Sequence, residues 1–304
     1  MSEGALKRCG VVALIGAPNA GKSTLLNRLV GSKVAIVTHK VQTTRARLRG
    51  IVIEGDTQII FVDTPGIFKP RRRLDKAMVE AAWSGAQDAD AVVLIVDAQR
   101  GRDEEVERIL AGLSVTRGKA VLALNKIDAV PRPGLLDLAA ALNAGDIFER
   151  VFMISALNGD GVDDLRRYLA ERMPASPWLY PADQVADVPM RMLASEITRE
   201  KLYLRVHQEL PYSLTVETED WQDRKDGSVR IEQVIFVARE SQRKIILGKG
   251  GQGIKAVGQQ AREELAGLLG RPVHLFLRVK VREKWMDERE RYAHIGLDFP
   301  SDRR

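Results

Sequence analysis

Eight residues constrain this chain more than any others. Gly16-Ala17-Pro18-Asn19-Ala20-Gly21-Lys22-Ser23 fits the spacing G-x-x-x-x-G-K-[ST], follows the apolar run Val11–Ile15 and precedes the helix-prone stretch Thr24–Leu29. A strand that turns through glycines into a helix aims backbone N–H groups and the positive end of the helix dipole at one point, which suits a phosphate chain. Lys22 adds an ammonium for the outer phosphates, and the Ser23 hydroxyl is a ligand suited to Mg2+. With Thr24 these residues form the expected phosphate-binding set.

Around that loop, short β-rich runs alternate with longer helical patterns, as in an α/β domain on a mostly parallel sheet. The expected strands are Val11–Ile15, Arg49–Glu54, Gln58–Asp63, Ala91–Asp97, Ala120–Asn125 and Val151–Ser155, six in all, with helices on both faces. Gly55-Asp56-Thr57 is short enough for a hairpin, so one of the six is an antiparallel edge strand. The helices expected between them are Lys22–Val30, Asp75–Ser84, Asp103–Leu113, Pro133–Ala144 and Val162–Arg172.

From Pro174 to Pro189 the texture changes, because Pro174, Pro177, Pro181 and Pro189 remove backbone donors and restrict their neighbours. This predicts a linker over 174–189 between a first domain, 1–173, and a second, 190–304. The second reads as helix Met190–Gln208, strands Tyr212–Glu219 and Val229–Val237, a helix pair around a glycine-rich turn, and strand Val273–Val281: a small α+β domain.

Three further blocks fall at expected strand ends. Asp63-Thr64-Pro65-Gly66 offers a carboxylate that can hold Mg2+ through water and a glycine amide that can sense a terminal phosphate. Asn125-Lys126-Ile127-Asp128 supplies in Asp128 a carboxylate able to accept both N–H donors of the guanine edge, a pair that adenine lacks. The backbone of Ser155-Ala156-Leu157 is placed to reach a base from the side. Between the first two motifs, Gln42-Thr43-Thr44-Arg45 lies in a polar segment suited to ordering around Mg2+ and a γ-phosphate, with Thr44 favoured as ligand and Thr43 the alternative.

Taken together, these blocks resemble those of the translation-factor-class GTPases, and the chain over residues 10–300 is similar to the Era family of bacterial ribosome-assembly GTPases. The turn Gly248-Lys249-Gly250-Gly251, between apolar helical stretches, resembles the G-x-x-G loop of a KH domain, in its strand-last type II form. Its side-chain-poor backbone lets a sugar-phosphate approach two helix ends, with Lys249 adding charge and Ile254 and Lys255 close by. The resemblance implies a P-loop GTPase domain followed by a KH domain. It also implies GTP/GDP and Mg2+ as ligands, and the 3′ region of 16S rRNA and the 30S subunit as partners.

The position after Gly66, where many GTPases carry a water-orienting glutamine, is Ile67. Relatives with an apolar residue there can use K+, which makes Asn19 a candidate K+ ligand. The switch residues are then Gln42 to Arg45 and Asp63 to Ile67.

Charge and composition narrow the rest. The net charge is +6, and residues 190–304 carry 22 Lys and Arg against 18 Asp and Glu, while 1–189 carry 25 against 23. The smaller part is the more basic, which favours an anionic partner, RNA or a peripheral membrane surface, and makes Arg243, Lys244, Arg278 and Lys280 further phosphate candidates. A single cysteine and four scattered histidines argue against a disulfide scaffold or structural zinc. No apolar run approaches the roughly 20 residues of a membrane span, and no export signal is read, so a monomer in the cytoplasm is expected.

Overall fold

Strands that are buried on both faces read as unbroken Val, Ile and Leu runs, and this is the pattern of the central sheet. The structure, a computed structural model, describes residues 7–114, 120–207 and 210–300. Five strands run parallel: β1 (Arg8–Gly16), β3 (Thr57–Asp63), β4 (Ala91–Asp97), β5 (Ala120–Asn125) and β6 (Phe148–Ile154). β2 (Leu48–Glu54) is antiparallel to β3 across the short turn at Gly55-Asp56. Helices α1 (Lys22–Val30), α2 (Arg73–Gln87), α3 (Glu104–Leu113), α4 (Arg132–Leu142) and α5 (Val162–Arg172) connect or cover them. On one side, Ala13, Ile15, Leu94, Val96, Leu122 and Leu124 pack against Ala82, Val106, Ile109 and Leu110.

Six strands are expected from the sequence, but among the described residues the sheet has seven, ordered β6-β5-β4-β1-β3-β2-β7. The additional one, β7 (Ala186–Asp187), comes from the proline-bracketed segment and pairs antiparallel with β2. Ile51 N–H donates to Val185 O at 2.9 Å, and Arg49 pairs with Asp187 at 3.2 Å. Upstream, buried Gln58 accepts the N–H groups of Leu179 and Tyr180 at 2.9 and 3.0 Å and donates to Tyr180 O at 2.8 Å. The segment follows the sheet because β2 leaves an unpaired edge and Gln58 satisfies backbone groups that prolines cannot continue into a ladder.

The chain divides into two compact units, the first containing residues up to Ala35 and Val41–Asp187, the second Ile36–Lys40 and Val188–Phe299. The second holds α6 (Met190–Arg205), β8 (Leu214–Asp223), β9 (Val229–Val237), α7 (Glu240–Leu247), α8 (Gln252–Leu269) and β10 (Val273–Val281). Its sheet is ordered β10-β9-β8, with β8 antiparallel and β10 parallel to β9. Leu202, Tyr203, Val216, Ile235, Ile246 and Val257 close one part of the core; Ile197, Ile231, Ala261 and Leu265 close another. A closing helix α9 (Arg289–His294) packs Tyr292, and Trp285 just before it is buried with its indole N–H on Ser213 O at 3.1 Å. Gln208, the expected end of α6, and residues 1–6 and 301–304 of the expected domains lie outside the described residues. Among the described residues no helix is long and apolar enough to cross a membrane.

Candidate functional site

Parallel strands end at one edge of a sheet, and an α/β protein binds its ligands there. The C-terminal ends of β1, β3, β4, β5 and β6 bring together Gly16, Asp63, Asp97, Asn125 and, just past β6, Ser155. Blocks up to 139 positions apart in the chain thus meet along one rim.

The phosphate loop is shaped by close approaches. A Cβ on Gly16 would lie 2.4 Å from Ile95 O, one on Gly21 2.1 Å from Asn125 Nδ2, and one on Gly66 2.9 Å from Pro18 N, so each position admits only glycine. Asn19 and Gly21 hold left-handed backbone, with φ of 63° and 101°. The Lys22 ammonium is buried within the loop, donating to Gly16 O at 3.1 Å and Ala17 O at 2.9 Å. Burial pushes its pKa down to about 8, against the opposing attraction of Asp63 and Glu105. Thr24 follows Ser23 in the first turn of α1, half-buried.

Beside it, three oxygen-bearing side chains converge. Ser23 Oγ donates to Asp63 Oδ2 at 2.6 Å and lies 2.8 Å from Thr44 Oγ1, which donates to the same carboxylate oxygen at 3.1 Å. Of the paired threonines, Thr44 carries the hydroxyl in this cluster. Asp63 is fully buried, its other oxygen, Oδ1, has no hydrogen-bond partner, and burial raises its pKa in spite of Lys22. A buried carboxylate with an unused oxygen next to two hydroxyls is the donor set of a hard divalent cation such as Mg2+. Thr64 Oγ1 is occupied by Leu14 O at 2.8 Å, and Pro65, Gly66 and Ile67 are buried, with Ile67 N–H on Gly16 O at 3.0 Å. Gln42, at φ 58°, reaches Asp75, and Arg45 is buried.

Asn125 ties the phosphate loop to the base side: its Nδ2 donates to Ala20 O at 2.8 Å, and its Oδ1 accepts from Ala156 N at 2.9 Å. Lys126, at φ 67°, donates to Asp97 Oδ2 at 2.6 Å. Asp128 sits exposed in a short 3-10 turn over Ile127–Ala129, with its carboxylate open to a ligand. Ser155 is buried and its Oγ accepts from Asn158 N at 3.1 Å, Ala156 is buried, and Leu157 is 67% exposed. Asp97 is missing from the sequence-derived set, although its place at a strand end was the signal for it.

In the second unit the turn between α7 and α8 has positive φ at Gly248, Gly250 and Gly251, 71°, 58° and 78°, the last two in left-handed helical backbone. Gly250 and Gly251 have open space where a Cβ would point, and Gly251 caps α8, so the helix N–H groups face outward. Lys249 and Lys255 are exposed and Ile254 is partly buried, while Ile245, on the preceding helix, is 61% exposed. Three of the four further phosphate candidates are already engaged: Arg278 pairs with Glu219 and Glu232 at 2.9 Å, Lys280 with Glu219 at 3.1 Å, and Arg243 with Glu240 at 2.9 Å. Lys244 is exposed. Lys249 in the turn and Lys255 just after it leave two exposed ammonium groups beside the glycines.

Residues 36–40, upstream of Thr44, are held inside the second unit. Val37 N–H donates to Glu200 Oε1 at 2.9 Å, and the Lys40 ammonium donates to the carbonyls of Tyr203 and Val206.

Comparison with known proteins matches both units. The family model described as 50S ribosome-binding GTPase covers residues 11–126, and a KH domain model covers 209–286. GTPase Era of Brucella suis biovar 1 (strain 1330) is 62% identical over 300 residues, spanning 99% of this chain and 96% of the relative. GTPase Era of Rhizobium meliloti (strain 1021) is 64% identical over 293 residues, spanning 96% and 94%. Among solved structures, Aquifex aeolicus Era bound to GDP and AlF4− superposes with a TM-score of 0.90 at 37% identity, covering 95% of this chain and 99% of the other. Era in complex with MgGDPNP and nucleotides 1506–1542 of 16S ribosomal RNA superposes with a TM-score of 0.91 at 37% identity and the same coverage.

Proposed function

This chain belongs to the GTPase Era family, and on that premise we propose that it hydrolyses GTP to GDP and phosphate and binds 16S rRNA near its 3′ end in the cytoplasm, acting in assembly of the 30S subunit. The observation that carries the enzymatic part is the convergence of Ser23, Thr44 and Asp63 beside the Lys22 loop. Gly16 to Thr24 and Gly66 cradle the phosphates. Ser23, Thr44 and, through water, Asp63 would hold Mg2+, which when bound would supply positive charge to the phosphate oxygens. Asn125, Lys126, Asp128 and Ser155 to Leu157 hold guanine, Asp128 accepting its two N–H donors. Gln42 to Arg45 and Asp63 to Ile67 act as the switch segments. Ile67 is apolar and buried and cannot orient water, so intrinsic turnover is slow, and Asn19 is a candidate ligand for a compensating K+.

The domains of the working protein are the GTPase part, 1–173, the strap 174–189 and the KH part, 190–304, and it acts as a monomer. RNA binds at Gly248, Lys249, Gly250, Gly251, Ile254 and Lys255. The 16S reading is preferred to the 50S one in the family-model description, because the RNA-bound relative covers 95% of this chain and that model only residues 11–126. Coupling of nucleotide state to RNA binding is supported by the inclusion of Ile36–Lys40 in the second unit, since the chain reaches Thr44 four residues later. Peripheral attachment to anionic membrane is a secondary activity that flotation with acidic vesicles tests.

The primary test measures GTP hydrolysis in K+ and in Na+ buffer, with and without single-stranded RNA of the 16S 3′ end, alongside RNA affinity with GTP or GDP bound. RNA-dependent turnover and GTP-dependent RNA affinity support the proposal. Two activities that ignore each other overturn the coupling, and equal rates in K+ and Na+ remove Asn19 from its role.

A further inference from the structure

α1 does more than present its N-terminus to phosphate. Its last turn carries Arg28, whose side chain crosses to the loop after β6: Nε donates to Ala156 O at 3.3 Å, and Nη2 donates to Leu157 O. Next to it Gly159, at φ 100°, approaches the guanidinium without blocking it; a Cβ there would stand 3.9 Å from Arg28 Cδ and Nη1. The opposite side of the same loop is held by Asn125 through Ala156 N. The loop is therefore gripped by one side chain from the phosphate helix and one from the Asn-Lys-x-Asp strand. It is also tied internally, Ser155 N–H to Asp160 O at 2.9 Å and Gly159 N–H to Ser155 O at 2.7 Å, and to the start of α5, Val162 N–H to Gly159 O at 3.2 Å.

We propose that Arg28 is a positioning residue for guanine: its guanidinium locks the Ala156 and Leu157 carbonyls to α1 and so sets the distance between the base-side loop and the phosphate loop. The inference rests on the reading of Ser155 to Leu157 as base-binding. A rigid helix is the natural ruler here, since Lys22 and Arg28 are six residues, about 9 Å, apart along one axis. Two neighbouring carbonyls accepting from one planar fork leave the loop little freedom to rock. Without it, both GTP and GDP should dissociate sooner, while the phosphate contacts stay as they are.

The test follows dissociation of a fluorescent GDP analogue from full-length protein, wild type, Arg28→Met, Arg28→Lys and Asp128→Asn. It also measures affinity for inorganic tripolyphosphate, which fits Gly16 to Thr24 but carries no base. Arg28→Met should release GDP about three- to tenfold faster, the loss of one or two hydrogen bonds, with unchanged tripolyphosphate affinity and Arg28→Lys in between. Arg28 is exposed, and Met keeps its aliphatic stem, so folding is checked by thermal unfolding, with the Lys variant carrying the test if Met fails to fold. Wild-type release from Arg28→Met, or an equal loss for tripolyphosphate, overturns the proposal. Fast release from Asp128→Asn beside wild-type release from Arg28→Met overturns the Arg28 role alone; wild-type release from both variants overturns the base-site reading as well.

Discussion

Replacing Asn125 by Ala should damage stability and nucleotide affinity together. The side chain is 2% exposed and makes two hydrogen bonds in opposite directions, to Ala20 O at 2.8 Å and from Ala156 N at 2.9 Å. Truncation leaves a buried acceptor and a buried donor without partners, each costing about 1–3 kcal/mol, so the expected loss is about 2–6 kcal/mol, the lower end applying if water enters. Asn125→Asp separates the two directions: Oδ1 still accepts from Ala156, but an oxygen now faces Ala20 O, so Asp should be no milder than Ala. Both loops also lose their reference point, and a 2 kcal/mol loss of positioning weakens GDP binding about thirtyfold. Urea unfolding, with m-values to verify two-state behaviour, gives the first quantity and titration calorimetry the second. A stability change below about 0.5 kcal/mol with wild-type affinity would refute the claim that this amide joins the two loops. Because Arg28 grips the same loop, the Asn125→Ala and Arg28→Met effects on GDP binding should be non-additive.

Lys22 predicts a pH signature of the protein alone. Its folded pKa of about 8 lies below the ordinary 10.5, so the folded state bears the cost of a buried charge below pH 8 and sheds it between pH 8 and 10.5. The stability of wild type relative to Lys22→Met should therefore rise by about 2 kcal/mol from pH 7 to pH 9.5, read by urea titration; a flat difference contradicts a charged, buried Lys22. Gln58→Leu strips partners from two N–H groups and one carbonyl of the strap, so a loss of about 2–4 kcal/mol is expected, with faster proteolysis between Ser176 and Asp183; unchanged cleavage would mean that the strap is held elsewhere. Gly250→Asp places a carboxylate in open space at φ 58°, a backbone region Asp tolerates, so RNA affinity should fall more than about tenfold with a near-wild-type melting temperature; retained affinity would move the RNA elsewhere.

Local chemistry made much of this molecule legible in its sequence. A glycine turn between strand and helix, a carboxylate at a strand end and a hairpin of two residues are each set by neighbours within a few positions. So β2 to β5, α1 and α5 lie within a residue of where periodicity and turn residues predict, while β1 and β6 each begin three residues before the expected strand and Ser155 falls just past β6. The α-β-β-α-α-β order of the second unit is legible for the same reason. Boundaries that depend on packing were harder: α2 begins at Arg73 and extends to Gln87, and β8 starts two residues after and ends four beyond the expected strand. Only the tertiary structure decided the rest. β7 is two residues long and exists because the edge of β2 was open, a fact recorded nowhere near Ala186. Thr43 and Thr44 are chemically equal in sequence, and the approach of Ser23 and Asp63 from separate elements distinguishes them. Ile36–Lys40 sits in sequence between α1 and β2 yet folds with α6, through Glu200 and two main-chain carbonyls more than 160 residues away. Arg28 reads as one more helical surface charge until the loop 128 residues downstream is folded against it. In each case the partner is distant in sequence, and for β7, Lys40 and Arg28 it is a strand edge or a backbone carbonyl, which has no residue identity to announce it, so the pairing emerges only when the chain closes on itself.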